Sequence, residues 1–252
     1  MIRVVMIGSG NVAHHLVKAL TAASGISLEG IVVRNLENLN NVTANIIDSY
    51  EFIPEADVYI IAVSDKAINE VSINLPFDNR LVVHTSGSAP MEDIDGSNRR
   101  GVFYPLQTFS REKEIEFKKV PLCLEAENQE DYTLLEKLAS ALSESVYRID
   151  SSQRRALHVA AVFAANFTNH MYFLADNICR THAMPFDLLK PLISEVAAKI
   201  QQLSPALAQT GPAVRHDEET IQRHLGLLTD ENQKNIYLLL TRSIQQSHDK
   251  EL

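Results

Sequence analysis

Residues 2–7, Ile-Arg-Val-Val-Met-Ile, form an apolar run that leads directly into Gly8-Ser9-Gly10-Asn11-Val12-Ala13 and then into the helix-forming His14-His15-Leu16-Val17-Lys18-Ala19-Leu20. A strand, a tight glycine turn and a helix in immediate succession are the setting in which Gly-x-Gly-x-x-Ala binds a dinucleotide. Gly8 permits the turn, Gly10 lets the backbone come close to a pyrophosphate, and Ala13 takes the small position where helix and strand pack tightly. The first helical turn then offers uncommitted N–H groups and a positive dipole end. Gly8, Ser9, Gly10, Asn11 and Val12 are therefore candidate cofactor-binding residues. The N-terminal part is expected to be an α/β domain built on a doubly wound, mostly parallel sheet.

A second apolar segment, Leu28 to Arg34, ends in Arg34-Asn35. An NAD site usually places Asp or Glu here, about 20 residues after the glycines, to hold the ribose hydroxyl. Arginine at this point pairs instead with a 2′-phosphate, so Arg34 and Asn35 turn the expectation toward NADP. Residues 36–53 are polar, a helix or loop around a short strand. Asp57–Val63 is a continuous apolar strand of the kind buried on both faces; Val63 and Ser64, at its carboxyl end, fall where ligands bind in such sheets. A helix over 67–75, stopped by Pro76, is followed by strands at 81–84, 101–104, 120–124 and 146–149, with a helix over 129–142.

After Asp150 strand-like runs cease. One long helix is expected over 151–181, a second capped by Asp187 with Pro191 in its first turn, a short one from Asp217, and a last from about 229 to 246. The organisation expected is a dinucleotide-binding domain over 1–150 and an all-α domain over 151–252. Acidic residues outnumber basic ones, giving a formal net charge of −9. That argues against a nucleic-acid or anionic-membrane partner. No apolar run reaches transmembrane length, and Cys123 and Cys179 stand alone, so a reduced cytoplasmic setting is expected.

Two segments hold candidates for chemistry. His84-Thr85-Ser86-Gly87-Ser88 leaves a strand on the ligand side of the sheet, with Ser86 a candidate substrate contact. It lacks the Gly-x-Ser-x-Gly of a nucleophile elbow. The long helix places His158, Ala161, Val162, Ala165 and Asn169 on one stripe at about 100° per residue, with Asn166 at its edge. Histidine titrates near neutral pH, which makes His158 the first candidate for general acid/base work and His84 the second. Gln107, Asn166 and Arg215, the last in the loop Gly211–Asp217, are candidates for orienting a substrate. The histidines show no metal-ligand spacing beyond single pairs, and His14-His15 is expected at solvent or an interface.

Taken together, Gly8–Ala13, His84–Ser88, Tyr104-Pro105-Leu106-Gln107-Thr108-Phe109, His158–Asn166 and Gly211–Asp217 through His224 resemble a bacterial family of Rossmann-like proteins with a C-terminal domain of unknown function. That family falls within the 6-phosphogluconate dehydrogenase-like superfamily, which includes pyrroline-5-carboxylate reductases and β-hydroxyacid dehydrogenases. The resemblance implies an NADP-binding oxidoreductase fold, often a homodimer through the helical domain, acting on a small molecule in the cleft between domains. The β-hydroxyacid dehydrogenases carry Lys and Asn one turn apart on the corresponding helix. Here His158 is followed one turn later by Val162. The function expected is hydride transfer between NADP and a small carbonyl or imine compound; the alternative is an NADP-binding sensor that catalyses nothing.

Overall fold

A computed structural model of the chain describes residues 1–33 and 45–251, so Arg34 and Asn35 lie outside the described residues. Two compact units are present, Met1–Ala165 and Asn166–Leu252.

The first unit is built on a sheet with eight strands among the described residues: β1 (Ile2–Ile7), β2 (Ile26–Val32), β3 (Ile46–Ile47), β4 (Val58–Ile61), β5 (Leu81–His84), β6 (Arg99–Pro105), β7 (Leu122–Ala126) and β8 (Val146–Arg148). Their spatial order is β3-β2-β1-β4-β5-β6-β7-β8. β1 to β6 run parallel, β7 pairs antiparallel with β6, and β8 pairs parallel with β7. The chain moves outward from β1 to β3, then returns to lay β4 against the other side of β1. Such a reversal opens a crevice at the carboxyl ends of the two central strands.

Alternation along the strands sorts the core into two layers. Val4, Met6 and Ile60 pack with Leu16 and Leu20 of α1 (Asn11–Ala22); later residues of the same layer, Leu135 and Leu138, come from a helix at 129–142. Val5, Ile7, Tyr59 and Ile61 face the opposite layer with Ile68 and Val71 of α2 (Ile68–Ile73). Covered on both faces, the central strands read as unbroken apolar runs. α3 spans Gln129–Leu142, as the sequence predicts, with Asn128 capping it by accepting from the Asp131 N–H. The expected helix over 67–75 is shorter and is preceded by a 3₁₀ turn at Asp65–Ala67. β6 is longer than its apolar stretch because Arg99 and Arg100, at its start, find carboxylates on Asp131 and Glu127.

α4 (Ser151–Ala161) begins at a capping box formed by Asp150 and Gln153. The expected single α-helix over 151–181 is interrupted: Val162–Phe167 winds as π-helix before α5 (Thr168–Thr181). A π turn holds more residues than an α turn, so counting about 100° per residue across it, as the His158–Asn169 stripe requires, does not hold.

The second unit continues with α6 (Lys190–Lys199), α7 (Pro205–Ala208), α8 (Glu218–Leu227) and α9 (Glu231–Glu251). Pro191 sits in the first turn of α6, but Asp187 is not its cap; it lies in a 3₁₀ turn at Phe186–Leu189 and pairs with Lys190. Asp217 caps α8 through the Thr220 N–H, and Asp230 accepts from the Gln233 N–H at the start of α9. Among the described residues of this unit, Cys179, Ala213, Ile221 and Thr241 are buried, whereas Phe173, Leu188, Leu192, Val196 and Leu239 are exposed. No helix among the described residues is long and apolar enough to cross a membrane.

The two fingerprint glycines make opposite demands on stability. Gly8 has φ +120°, and a Cβ there would lie 2.3 Å from the Ala62 carbonyl oxygen; Gly10 has φ −72° and nothing within 4 Å of a Cβ. Gly8→Ala is expected to destabilise the chain by about 3 kcal/mol or more, and Gly10→Ala by less than about 1 kcal/mol, measured by urea unfolding. Equal losses would contradict this geometry.

Candidate functional site

The β1–α1 turn is the first half of the site. Gly8 N–H is bonded to the Val32 carbonyl, which locks the turn against β2. Gly10 occupies the N-cap position of α1, yet no side chain caps the helix and no acidic residue stands in its first turn. An open space beside Gly10 and an uncapped helix start are what a phosphate group needs. A cleft of about 410 Å³ opens there, lined by Ile7, Gly8, Ser9 and Gly10 from the turn. Val32 from the end of β2 and Val63 from the end of β4 extend it, with Asp48, Tyr50, Ala67, Val71 and Arg111 around the remainder. The turn residues therefore fit a dinucleotide phosphate, and the apolar walls fit a flat ring.

The side chains of Val12 and Asn11 are engaged away from the cleft. Val12 packs its side chain on the core, and the Asn11 amide donates to the Phe109 carbonyl at 3.0 Å. Ser64 stands at the N-cap position of the 3₁₀ turn after β4 with no capping bond from its side chain, and is exposed, outside the cleft lining. His15, expected at solvent or an interface, is buried and donates from Nε2 to the Ser110 carbonyl at 2.8 Å.

The loop after β5 forms the second half. His84 is fully buried. Its Nδ1 accepts from the Ser86 N–H at 3.2 Å, so Nε2 carries the proton and donates to the Pro90 carbonyl, also 3.2 Å away. Burial, reinforced by the nearby Arg154 guanidinium, pushes its pKa down to about 4. With both nitrogens engaged inside its own loop, His84 shapes the loop and is not placed to exchange a proton with a ligand, which corrects the catalytic expectation. Ser86 is likewise buried, and its hydroxyl accepts from the N–H groups of Ser88 and Ala89. It closes the loop, a structural task that the sequence did not distinguish from substrate contact.

Arg154, on the first turns of α4, was invisible as a site residue. Its guanidinium is completely buried and donates to the Ser86 and Ala89 carbonyls at 3.1 and 2.6 Å. It also reaches the Ser151 hydroxyl at 3.1 Å and the Glu125 carboxylate at 3.4 Å. Glu125 in turn accepts from both the backbone and the hydroxyl of Ser151. These bonds fasten α4 to β7 and to the β5 loop.

One turn further along α4, half-buried His158 faces Tyr104 at the end of β6, with 3.1 Å between Nδ1 and the phenolic oxygen. Gly87 lies beneath both rings: a Cβ there would come within 2.5 Å of His158 Nδ1 and 2.7 Å of Tyr104 Cζ. Burial, with a smaller contribution from Cys123, raises the Tyr104 pKa to about 12, so the phenol keeps its proton at neutral pH. A protonated phenol against Nδ1 orients the imidazole and leaves Nε2 as its other exchangeable position. Tyr104 belongs to a motif singled out in the sequence, but its partner lies 54 residues away.

Gln107, just past β6, is exposed, and its carbonyl oxygen accepts from Thr108. In the second unit, Asn166 falls in the π-helical segment and Arg215 precedes α8; both are exposed. Arg215 helps to hold the Asp217 carboxyl below its ordinary range, after the larger effect of the Thr220 hydrogen bonds. No group of three or more His, Cys, Asp or Glu side chains among the described residues could hold a metal.

The parallel sheet, its switch point and the glycine turn define a Rossmann-type α/β unit followed by a helical one. The family model "Domain of unknown function (DUF2520)" matches residues 120–244. A solved structure from Bacteroides fragilis, named as a putative NADP oxidoreductase, is 41% identical, with a TM-score of 0.89 over 97% of this chain and 98% of that one. This chain belongs to the same family as that Bacteroides protein. A Thermotoga maritima protein shares the fold at 20% identity and a TM-score of 0.75, over 98% of this chain and 99% of that one. So does a reductive aminase of Aspergillus terreus, solved with NADPH and ethyl-5-oxohexanoate, at 11% identity and a TM-score of 0.73 over 99% and 94%. No curated protein matches the chain.

His84 gives the site a pH signature. Its pKa is lower folded than unfolded, so its contribution is complete above the unfolded value of about 6.5 and is lost as pH falls toward about 4. That term is worth about 3 kcal/mol between pH 7 and pH 4. His84→Asn should flatten the pH dependence of unfolding free energy in this window, and an unchanged slope would contradict the buried neutral ring.

Proposed function

We propose that the chain is an NADP-dependent oxidoreductase that transfers a hydride to or from the carbonyl or imine carbon of a small molecule. The reading is carried by the pairing of Tyr104 with His158 against Gly87, at the carboxyl edge of the sheet whose β1 turn fits a dinucleotide. The nicotinamide cofactor, when bound, supplies the hydride chemistry. The protein positions the substrate and moves one proton. In the reducing direction His158 starts as the imidazolium, gives its Nε2 proton to the substrate oxygen or nitrogen and is left as neutral imidazole, with its Nδ1–H donating to the Tyr104 phenolic oxygen throughout. Gln107, Asn166 and Arg215 are proposed to orient the substrate.

Gly8 to Val12, with Val63 and Ser64, are proposed to hold the cofactor, and Arg34 with Asn35 to take its 2′-phosphate. Asp48, in the same cleft, is an acceptor for sugar hydroxyls. Cys123 and Cys179 are buried and unpaired, which fits a reducing cytoplasmic setting. A second copy of the chain is proposed to cover the exposed apolar side chains of the second unit. Among the described residues of that unit Cys179, Ala213, Ile221 and Thr241 are buried, while Phe173, Leu188, Leu192, Val196 and Leu239 are exposed. Light scattering should give twice the chain mass of 28.1 kDa; a stable monomer would contradict that pairing.

The catalytic claim is tested with a panel of aldehydes, ketones and imines and NADPH. His158→Ala should lower turnover by about 10²- to 10⁴-fold with cofactor affinity unchanged. Tyr104→Phe should lower it less, and Arg34→Ala should weaken NADPH by about tenfold or more relative to NADH. NADPH binding without turnover on any compound, with His158→Ala altering neither affinity nor stability, would favour the sensor reading.

A further inference from the structure

The connection from β6 to β7 crosses α1 and is fastened to it. Asn11 donates to the Phe109 carbonyl at 3.0 Å, His15 to the Ser110 carbonyl at 2.8 Å, and Lys18 pairs with Glu114. Positions 11, 15 and 18 are four and three residues apart, so they share one face of the helix. The Phe109 ring adds a contact with His15 at 5.3 Å between centroids. Midway along this strap stands Arg111. Its guanidinium donates to the Ser9 carbonyl at 2.7 Å, in the middle of the glycine turn, and it lines the cleft beside Gly8, Ser9 and Gly10. A chain with net charge −9 thus carries a cation against the turn that fits a phosphate.

We propose that Arg111 is a phosphate-binding residue of the dinucleotide site, set in place by the strap that Asn11, His15 and Lys18 hold on α1. The inference rests on the dinucleotide reading above and extends it to a residue more than a hundred positions from the fingerprint turn. The guanidinium side supplies charge, the helix start supplies N–H groups, and a phosphate between them is bound from two directions. Two phosphate-bearing parts of the cofactor qualify, the pyrophosphate and the 2′-phosphate, and they differ in what NADH should feel.

The experiment is calorimetric titration of wild type, Arg111→Gln and Arg111→Lys with NADPH and with NADH, alongside thermal melting. Glutamine removes the charge while keeping a polar side chain with an N–H donor. Arg111→Gln should weaken binding about ten- to hundredfold at unchanged melting temperature, and Arg111→Lys should recover part of the loss. Equal weakening of both cofactors assigns the pyrophosphate, and loss confined to NADPH assigns the 2′-phosphate; either supports the proposal. Wild type that binds tightly and Arg111→Gln that binds equally well would overturn the role of Arg111 and leave the dinucleotide reading standing. Wild type that binds neither cofactor would overturn both.

Discussion

The buried guanidinium of Arg154 is the interaction on which the arrangement of the site depends. It ties the β5 loop, the end of β7 and the first turn of α4 to one point, through the carbonyls of Ser86 and Ala89, the Ser151 hydroxyl and Glu125. An isolated charge in that position would be costly, and the carbonyls and carboxylate offset the cost only while the three segments stay together. The position of His158 follows, because it stands one turn beyond Arg154 on the same helix. The same charge also helps to keep His84 neutral, so the loop holds a donor–acceptor ring and not a second cation.

A second constraint comes from glycine. Gly8 is fixed by its positive φ and by the Ala62 carbonyl, Gly87 by the rings of His158 and Tyr104. Nothing stands within 4 Å of where a Gly10 Cβ would lie, which suits a position meant to let a ligand approach the backbone. The carboxyl edge of the sheet thus carries two features on strands with β4 between them: an uncapped helix start after β1, and an oriented imidazole over the loop after β5. The parallel register of β1, β4 and β5 sets their separation.

Much of this was legible in the sequence. The central strands could be read because burial on both faces forces continuous apolar runs, as in residues 57–63, and α3 because its cap and periodicity agree. The site was only half legible. His84 and His158 both look like site histidines in one dimension. What separates them is burial and ring bonding, and neither leaves a sequence mark. Arg154 reads as an ordinary polar helix residue until its depth is known. Arg111 meets Ser9 across 102 positions, and His15 meets Ser110 across 95, through a stretch, residues 106–116, that is neither helix nor strand. The π segment at Val162–Phe167 contains neither Pro nor Gly to announce it.

The central claim is that a nicotinamide dinucleotide lies along the carboxyl edge, from the β1 turn to the loop under His158. Amide hydrogen exchange followed by mass spectrometry, with and without saturating NADPH, tests it most directly. The account predicts slower exchange in the peptides covering Gly8–Ala13 and Thr85–Ser88, with the strands between them already protected. Protection confined to other segments, or no change in either peptide at saturation, would contradict it.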